Sequence, residues 1–288
     1  VQEEIDDTDA FQSFLKEMFD AWGIPRSETC FFVSDEAILT RPIEMPAESD
    51  YSTLKEFVAM ELGQTIHVPF DVPSFDVFPT NEEETEGVLF AVPSEPVHAV
   101  ANTLNTMKYV PKVADVRMLS LARLLGRIGY LHKNDEAVLV VDWSLNGLSA
   151  GIFRNYELEF LRFQQFPRFR EHWSSKEQET NTSSFATKEL PYHLLVSEEE
   201  YVVAMANEFA EIGRLMNSYR FTLHNGEVEV QSMIVTGDHP LLDTIEQQLK
   251  EMYYGRIRQV RREDFEEVYG KYPLRFASLV GLYEREDI

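Results

Sequence analysis

The residues best placed to do chemistry are Asp142-Trp143-Ser144-Leu145-Asn146-Gly147-Leu148-Ser149-Ala150-Gly151. An acid at a strand end, a turn of small residues and a hydroxyl on the return strand form a phosphate-holding arrangement. Backbone N–H groups of such a turn approach phosphate oxygens, and the carboxylate holds a metal or its waters. Asp142, Ser144, Asn146, Gly147 and Ser149 are the candidate residues. Ser144 stands where a glycine would let the backbone come closer. The plain alternative is a β-meander with a polar turn. A rival pattern overlaps: Gly147-Leu148-Ser149-Ala150-Gly151 fits the G-x-S-x-G of hydrolases. That chemistry needs its serine on a strained turn between strand and helix. Here Ile152-Phe153-Arg154-Asn155-Tyr156 follows, which reads as strand and turn.

Strands must position these residues. Ala137 to Val141 reads as a buried strand, a second strand ends at Phe153, and Arg154-Asn155 turns into a third from Tyr156 to Phe163. Upstream, Phe11, Leu15, Met18, Phe19 and Trp22 recur at helical spacing, with Thr8 or Asp9 as cap and Gly23 past the end. Strands are expected at Cys30–Val33, Ala37–Ile43, Phe75–Phe78, Gly87–Val92, Val113–Val116 and Glu229–Thr236. Helices are expected near Leu54–Leu62, Ser94–Met107, Leu119–Ile128, Ser197–Tyr219, Leu241–Met252 and Phe276–Tyr283. Val68 to Pro73 is an extended connector, and 168–191 is a polar loop. Tyr201, Ala204, Met205, Phe209, Ile212 and Met216 form one apolar stripe of a core helix. Strand-helix alternation around two meanders argues an α/β architecture.

Composition excludes several functions. The 288 residues carry a net charge of −24, which opposes nucleic acid and anionic lipid, since both demand clustered cations. The basic cluster Arg256, Arg258, Arg261 and Arg262 runs straight into Glu263, Asp264, Glu266 and Glu267, so it reads as a mixed solvated face. Cys30 is the single cysteine, which suits a reducing compartment. No run reaches the roughly 20 apolar residues of a membrane span. The seven histidines are scattered without metal-ligand spacing, so surface or satisfied core roles are expected.

Several stretches, taken in order along the chain, resemble the PilM/FtsA family of actin-like proteins. Val1 to Ile24 looks like the family's acidic lead-in and first helix. Cys30 to Pro46, with Ile38-Leu39-Thr40-Arg41-Pro42-Ile43-Glu44-Met45-Pro46, is similar to its strand pair ending in an apolar residue and proline. Glu56 to Pro69 is similar to the helix before its connector, here Ile66-His67-Val68-Pro69-Phe70. Asp142 to Phe153 resembles its second phosphate motif, and Ile234-Val235-Thr236-Gly237-Asp238-His239-Pro240-Leu241 its adenosine motif. Ala277 to Leu282 resembles its closing helix.

The resemblance implies a bilobal actin-like, ribonuclease-H-like α/β fold with an inserted small α/β domain. Residues 1–27 and 117–165 would form one lobe, 28–116 the insert and 166–288 the second lobe. It adds Thr236, Gly237 and Asp238 to the candidate nucleotide residues and implies ATP with magnesium as the ligand of intact relatives. The family's first hairpin, Asp-x-Gly-x-x-x-x-Lys, is absent from the sequence given. With Ser144 and Asp238 replacing glycines, a degenerate site is the expectation. The implied function is a cytoplasmic scaffold of a type IV pilus or competence-type machine. It would bind the short cytoplasmic tail of a PilN-like membrane protein on the lobe from Glu28 to Val116. An active ATPase or self-associating filament former is the alternative, and a G-x-S-x-G esterase the remote one.

Overall fold

The computed structural model describes residues 5, 7–46, 51–79, 86–166, 171–175, 192–270 and 274–285. They divide into two compact units, one up to Arg117 and one from Met118 to Arg285.

The first unit opens with α1 (Thr8–Trp22). Its cap is Asp7, one residue before the expected Thr8, and the Asp7 carboxylate accepts the Ala10 N–H at 2.9 Å. Gly23 ends the helix in the left-handed conformation at φ 64°, and the N–H groups of Gly23 and Ile24 return to the Asp20 and Phe19 carbonyls. That is the helix stop expected of a glycine, which tolerates this φ without a Cβ penalty. β1 (Glu28–Phe32), β2 (Leu39–Glu44), α2 (Tyr51–Glu61), β3 (Pro73–Pro79), β4 (Glu86–Pro93), α3 (Ser94–Thr106) and β5 (Val110–Asp115) follow. β1 and β5 form a parallel pair, and β2, β4 and β3 form an antiparallel sheet in that order. Ile43, Val77, Leu89 and Ala91 of this small sheet pack on Leu54 and Val58 of α2. α1 belongs here: the Phe19 and Tyr109 rings meet edge to face, and the Tyr109 hydroxyl donates to the Ile24 carbonyl at 2.9 Å.

The second unit contains α4 (Arg117–Arg127), β6 (Ala137–Trp143), β7 (Gly147–Arg154), β8 (Glu157–Gln165), β9 (Trp173–Ser175), β10 (Tyr192–Leu194), α5 (Glu198–Ala204) and α6 (Ala206–Ser218). Then come β11 (Val230–Gly237), α7 (Leu242–Met252), β12 (Arg256–Gln259), α8 (Arg262–Tyr269) and α9 (Ala277–Tyr283). One five-stranded sheet has the order β12-β11-β6-β7-β8. β7 is antiparallel to β6 and β8, whereas β11 and β12 run parallel to β6. This mixed sheet is the ribonuclease-H-like arrangement that the sequence leads one to expect.

Period-two alternation explains how the sheet is covered. Ala137, Leu139, Val141 and Trp143 join Tyr201, Phe209, Ile212, Ile245 and Leu249 in one core. On the other face α4 presses so near that a Cβ on Gly151 would lie 2.7 Å from Met118 Cγ. α9 crosses α4 closely, with the Ser120 hydroxyl donating to the Ser278 carbonyl and Arg123 Nε donating to Gly281 O at 3.1 Å.

Residues 1–27 lie in the first unit together with 28–116, and α1 packs on α3. β11 and β12 extend the same sheet as β6, β7 and β8. Finer expectations are corrected. The tight turn is Asn155-Tyr156, both at positive φ (55° and 74°), so β8 starts at Glu157. The long helix breaks at Met205 and ends in a π-helical turn over Tyr219–Leu223. Of the segment 168–191, most lies outside the described residues, but Trp173–Ser175 is a strand paired with Tyr192–Leu194.

Candidate functional site

The strand registers bring the two candidate motifs together. Thr236 of β11 lies opposite Asp142 of β6, and Asp142 lies opposite Ser149 of β7. All three share one face of adjacent strands and are buried, at 1%, 6% and 4% exposure. A carboxylate thus stands between two hydroxyls in the middle of the sheet. The Ser149 hydroxyl has no hydrogen-bond partner among the described residues. A buried orphan hydroxyl costs about 1–3 kcal/mol, so this one marks an unfilled polar demand.

The turn between β6 and β7 is closed upon itself. Ser144 N–H donates to Gly147 O at 2.9 Å. The Ser144 hydroxyl also donates to Gly147 O, at 3.0 Å, and accepts the Gly147 N–H at 3.2 Å. The Asn146 carbonyl accepts the Phe166 N–H at 2.7 Å. A glycine at 144 would have no hydroxyl to take up the Gly147 N–H. Gly147 itself answers to its neighbour strand: a Cβ would sit 2.6 Å from Gln164 O and 2.9 Å from the Phe163 ring.

The second motif is equally tight. Gly237 adopts φ 125°, and a Cβ there would collide with the Trp143 carbonyl oxygen. The His239 N–H then donates to that same carbonyl at 3.1 Å. Asp238 is half-buried between them. The ends of β6 and β11, where an open α/β sheet leaves its crevice, are therefore in direct backbone contact.

Sequence reasoning missed the aromatic group beside this contact. The His239 and Tyr201 rings stack at 5.7 Å and 22°, and Trp173 meets both edge-on at 5.7 and 5.4 Å. The Leu241 N–H donates to His239 Nδ1 at 3.1 Å, so a neutral ring carries its proton on Nε2. Nε2 then donates to the Tyr201 hydroxyl at 2.9 Å. Burial drives the His239 pKa down to about 3 and the Tyr201 pKa up to about 12. The expectation of a satisfied core histidine holds for His239. Nothing in its spacing to Tyr201 or Trp173 announces the cluster.

The geometry excludes the esterase. Ser149 lies inside β7, which continues to Arg154 as strand, so no nucleophile elbow exists. Among the described residues no group of three or more His, Cys, Asp or Glu side chains is placed to hold a metal. None of the described helices is long and apolar enough to cross a membrane.

No family model and no curated protein matches the sequence. Solved structures do match. A PilM–PilN type IV pilus biogenesis complex contains a chain 17% identical, with a TM-score of 0.62, over 98% of this chain and 86% of that one. MreB5 of Spiroplasma citri bound to ADP is 12% identical, with a TM-score of 0.49 over 99% and 77%. The cytoplasmic domain of EpsL from the type II secretion system of Vibrio cholerae is 11% identical, with a TM-score of 0.41 over 93% and 82%. The first of these, together with the mixed sheet of the second unit, assigns the architecture: this chain has the actin-like fold of the PilM type.

Proposed function

We propose that this chain is an actin-fold scaffold rather than a working ATPase, serving on the cytoplasmic side of a type IV pilus-type machine. It would be recruited by the cytoplasmic tail of a PilN-like membrane protein. The fold shared with a chain of a PilM–PilN complex over 98% of this sequence carries the reading. The closed turn supports the loss of nucleotide chemistry. The Ser144 and Gly147 N–H groups that would meet a phosphate are spent within the hairpin. The charge of −24 supports recruitment by protein, because it repels anionic lipid and speeds encounter with a basic tail.

One observation favours the second reading, an active nucleotide site: the carboxylate of Asp142 flanked by the Thr236 and Ser149 hydroxyls. In an intact site the carboxylate would hold magnesium-bound waters and the hydroxyls would meet phosphate. The closed turn and the Gly237–Trp143 contact count against it, because the backbone N–H groups of this hairpin are already used.

Two titrations separate the readings. Fifteen-residue N-terminal peptides of the membrane proteins encoded beside this gene are titrated against the whole chain by fluorescence anisotropy. One is expected to saturate, and failure of all of them ends the scaffold reading. ATP with magnesium is titrated against thermal unfolding. A ligand at 100 times its Kd stabilises by about 2.7 kcal/mol. A rise of that size at micromolar ATP establishes the nucleotide reading instead.

A further inference from the structure

The three-stranded sheet of the first unit has two outer edges, and they are not equivalent. In an antiparallel ladder, residues alternate between exchanging hydrogen bonds with the partner and turning N–H and C=O outward. β3 pairs with β4 through Pro73–Pro93, Phe75–Ala91, Val77–Leu89 and Pro79–Gly87. Pro73 and Pro79 have no N–H to give, and the Val77 N–H goes to the Asp76 side chain at 3.0 Å. The odd-numbered residues therefore face outward. On β2, Pro42 pairs with Val88, a residue that bonds to β3, so Pro42 occupies the middle outward position of its edge. That proline breaks the row of donors and closes β2 to strand addition. β3 keeps a short window with N–H donors at Phe75 and Val77, bounded by Pro73 and Pro79.

The window is covered. Asp76 Oδ1 accepts the Tyr51 hydroxyl as well as the Val77 N–H, and Lys55 Nζ lies 3.5 Å from it. Lys55 also sits 5.2 Å above the Tyr51 ring. Tyr51 and Lys55 reach over from α2 and remain well exposed, so the cover is held by a few solvent-screened contacts. Exposed apolar side chains flank the same edge, with Val72 at 69%, Tyr51 at 51% and Phe78 at 42% exposure. The edge is acidic, with Asp71 and Asp76 beside it.

We propose that the outer edge of β3 is a latched strand-docking site. An extended segment bearing lysine or arginine, with apolar residues on alternate positions, adds to it through Phe75 and Val77 as Tyr51 and Lys55 leave Asp76. Main-chain bonds give such an addition its affinity and alternate side chains its specificity. The acidic rim selects the basic segment, and the two prolines limit the added strand to the stretch between them. The inference rests on the tail-docking reading and names the surface that reading left open.

The test uses the whole chain and the tail peptide that saturates in the titration above. At saturation the Phe75 and Val77 amides are expected to exchange about tenfold more slowly, while those of Ser74 and Asp76 change little. N-methylating alternate residues of the peptide in one register weakens binding about tenfold or more, and in the other register leaves it unchanged. Tyr51→Ala, which lifts the cover without altering charge, tightens binding several-fold. A peptide that binds without slowing Phe75 and Val77, or that tolerates N-methylation in both registers, overturns strand docking and leaves the scaffold reading standing. If no tail peptide binds, both fall.

Discussion

The two units contrast in how they are held. In the second, every residue of β6 is buried, and a five-stranded sheet carries packed helices on both faces. In the first, neither α1 nor β1 contains a fully buried residue, and the strands are split between a parallel pair and a small antiparallel sheet. Burial of apolar area is the main favourable term in folding, at about 25 cal/mol per Å². The second unit therefore supplies the cooperative core. The first has a smaller core of its own, where Ile43, Val77, Leu89 and Ala91 meet Leu54 and Val58, with caps and ring pairs around it. Under the docking proposal, stability rests mainly on the second unit and recognition on the first, as expected when low-stability regions carry recognition.

Glycines at positive φ test that contrast most severely. Gly237 sits at φ 125° against the Trp143 backbone, whereas Gly23 sits at φ 64° with nothing within 4 Å of its would-be Cβ. Gly237→Ala is expected to cost about 4 kcal/mol or prevent folding, since it adds a backbone collision to strain. Gly23→Ala is expected to cost about 1 kcal/mol, the left-handed penalty alone. Urea unfolding of both variants checks the ratio. Equal losses would mean that the end of β11 yields as readily as a helix cap.

Acid is the second probe, read through one buried residue of the second unit. The His239 pKa is about 3 in the folded chain against 6.5 for an unperturbed histidine. Below pH 6.5 the unfolded chain binds a proton that the folded chain refuses, so stability falls as pH falls and keeps falling toward pH 3. The slope is about 1.4 kcal/mol per pH unit, or about 3 kcal/mol by pH 4. His239→Gln is expected to remove that share of the acid loss while the carboxylate contribution remains. Chemical denaturation at pH 7 and pH 4.5 measures the difference, and identical pH slopes in the two proteins would refute the buried neutral ring.

What the sequence revealed follows the same division. The meander of β6, β7 and β8 was legible because its residues alternate or run continuously apolar, and Asn155 sits at its turn. The Asp142 motif could be named from its residues and the Thr236 motif from the family resemblance, but that they lie on adjacent strands could not. Strand order is set by long-range pairing that periodicity does not encode. β12 was hidden because Arg-Ile-Arg-Gln is four residues of an edge strand, and its arginines read as a charged surface. Those charges suit an edge exposed to other strands. α8 was hidden because Phe265 is its single buried residue, so it shows no apolar stripe.

The closed turn gives a smaller effect. Ser144→Gly removes the hydroxyl that accepts the Gly147 N–H, and a loss of about 1 kcal/mol is expected. The same change restores the glycine of an intact phosphate turn. Because Gly237 still abuts Trp143, ATP with magnesium is expected to leave the melting temperature of the variant unmoved. A thermal-shift titration decides it, and stabilisation by ATP in Ser144→Gly alone would show that this one hydroxyl silences the site.

The smallest effects come from helix caps, and they divide the units most finely. Asp7 caps α1 through the Ala10 N–H, and Ser197 caps α5 in a reciprocal box with Glu200. Each cap is worth about 1 kcal/mol to its own helix. α5 carries the buried Tyr201 into the core of the second unit, so fraying at Ser197 disturbs packed side chains. Ser197→Ala is therefore expected to lower global stability by about 1 kcal/mol. α1 buries no residue completely, so its first turn opens without exposing core. Asp7→Ala is expected to speed amide exchange in that turn about fivefold while global stability moves by less than about 0.3 kcal/mol. Hydrogen exchange beside urea unfolding reads both quantities on each variant. A global loss of about 1 kcal/mol for Asp7→Ala would tie α1 into the cooperative core and erase the division of labour argued from its burial.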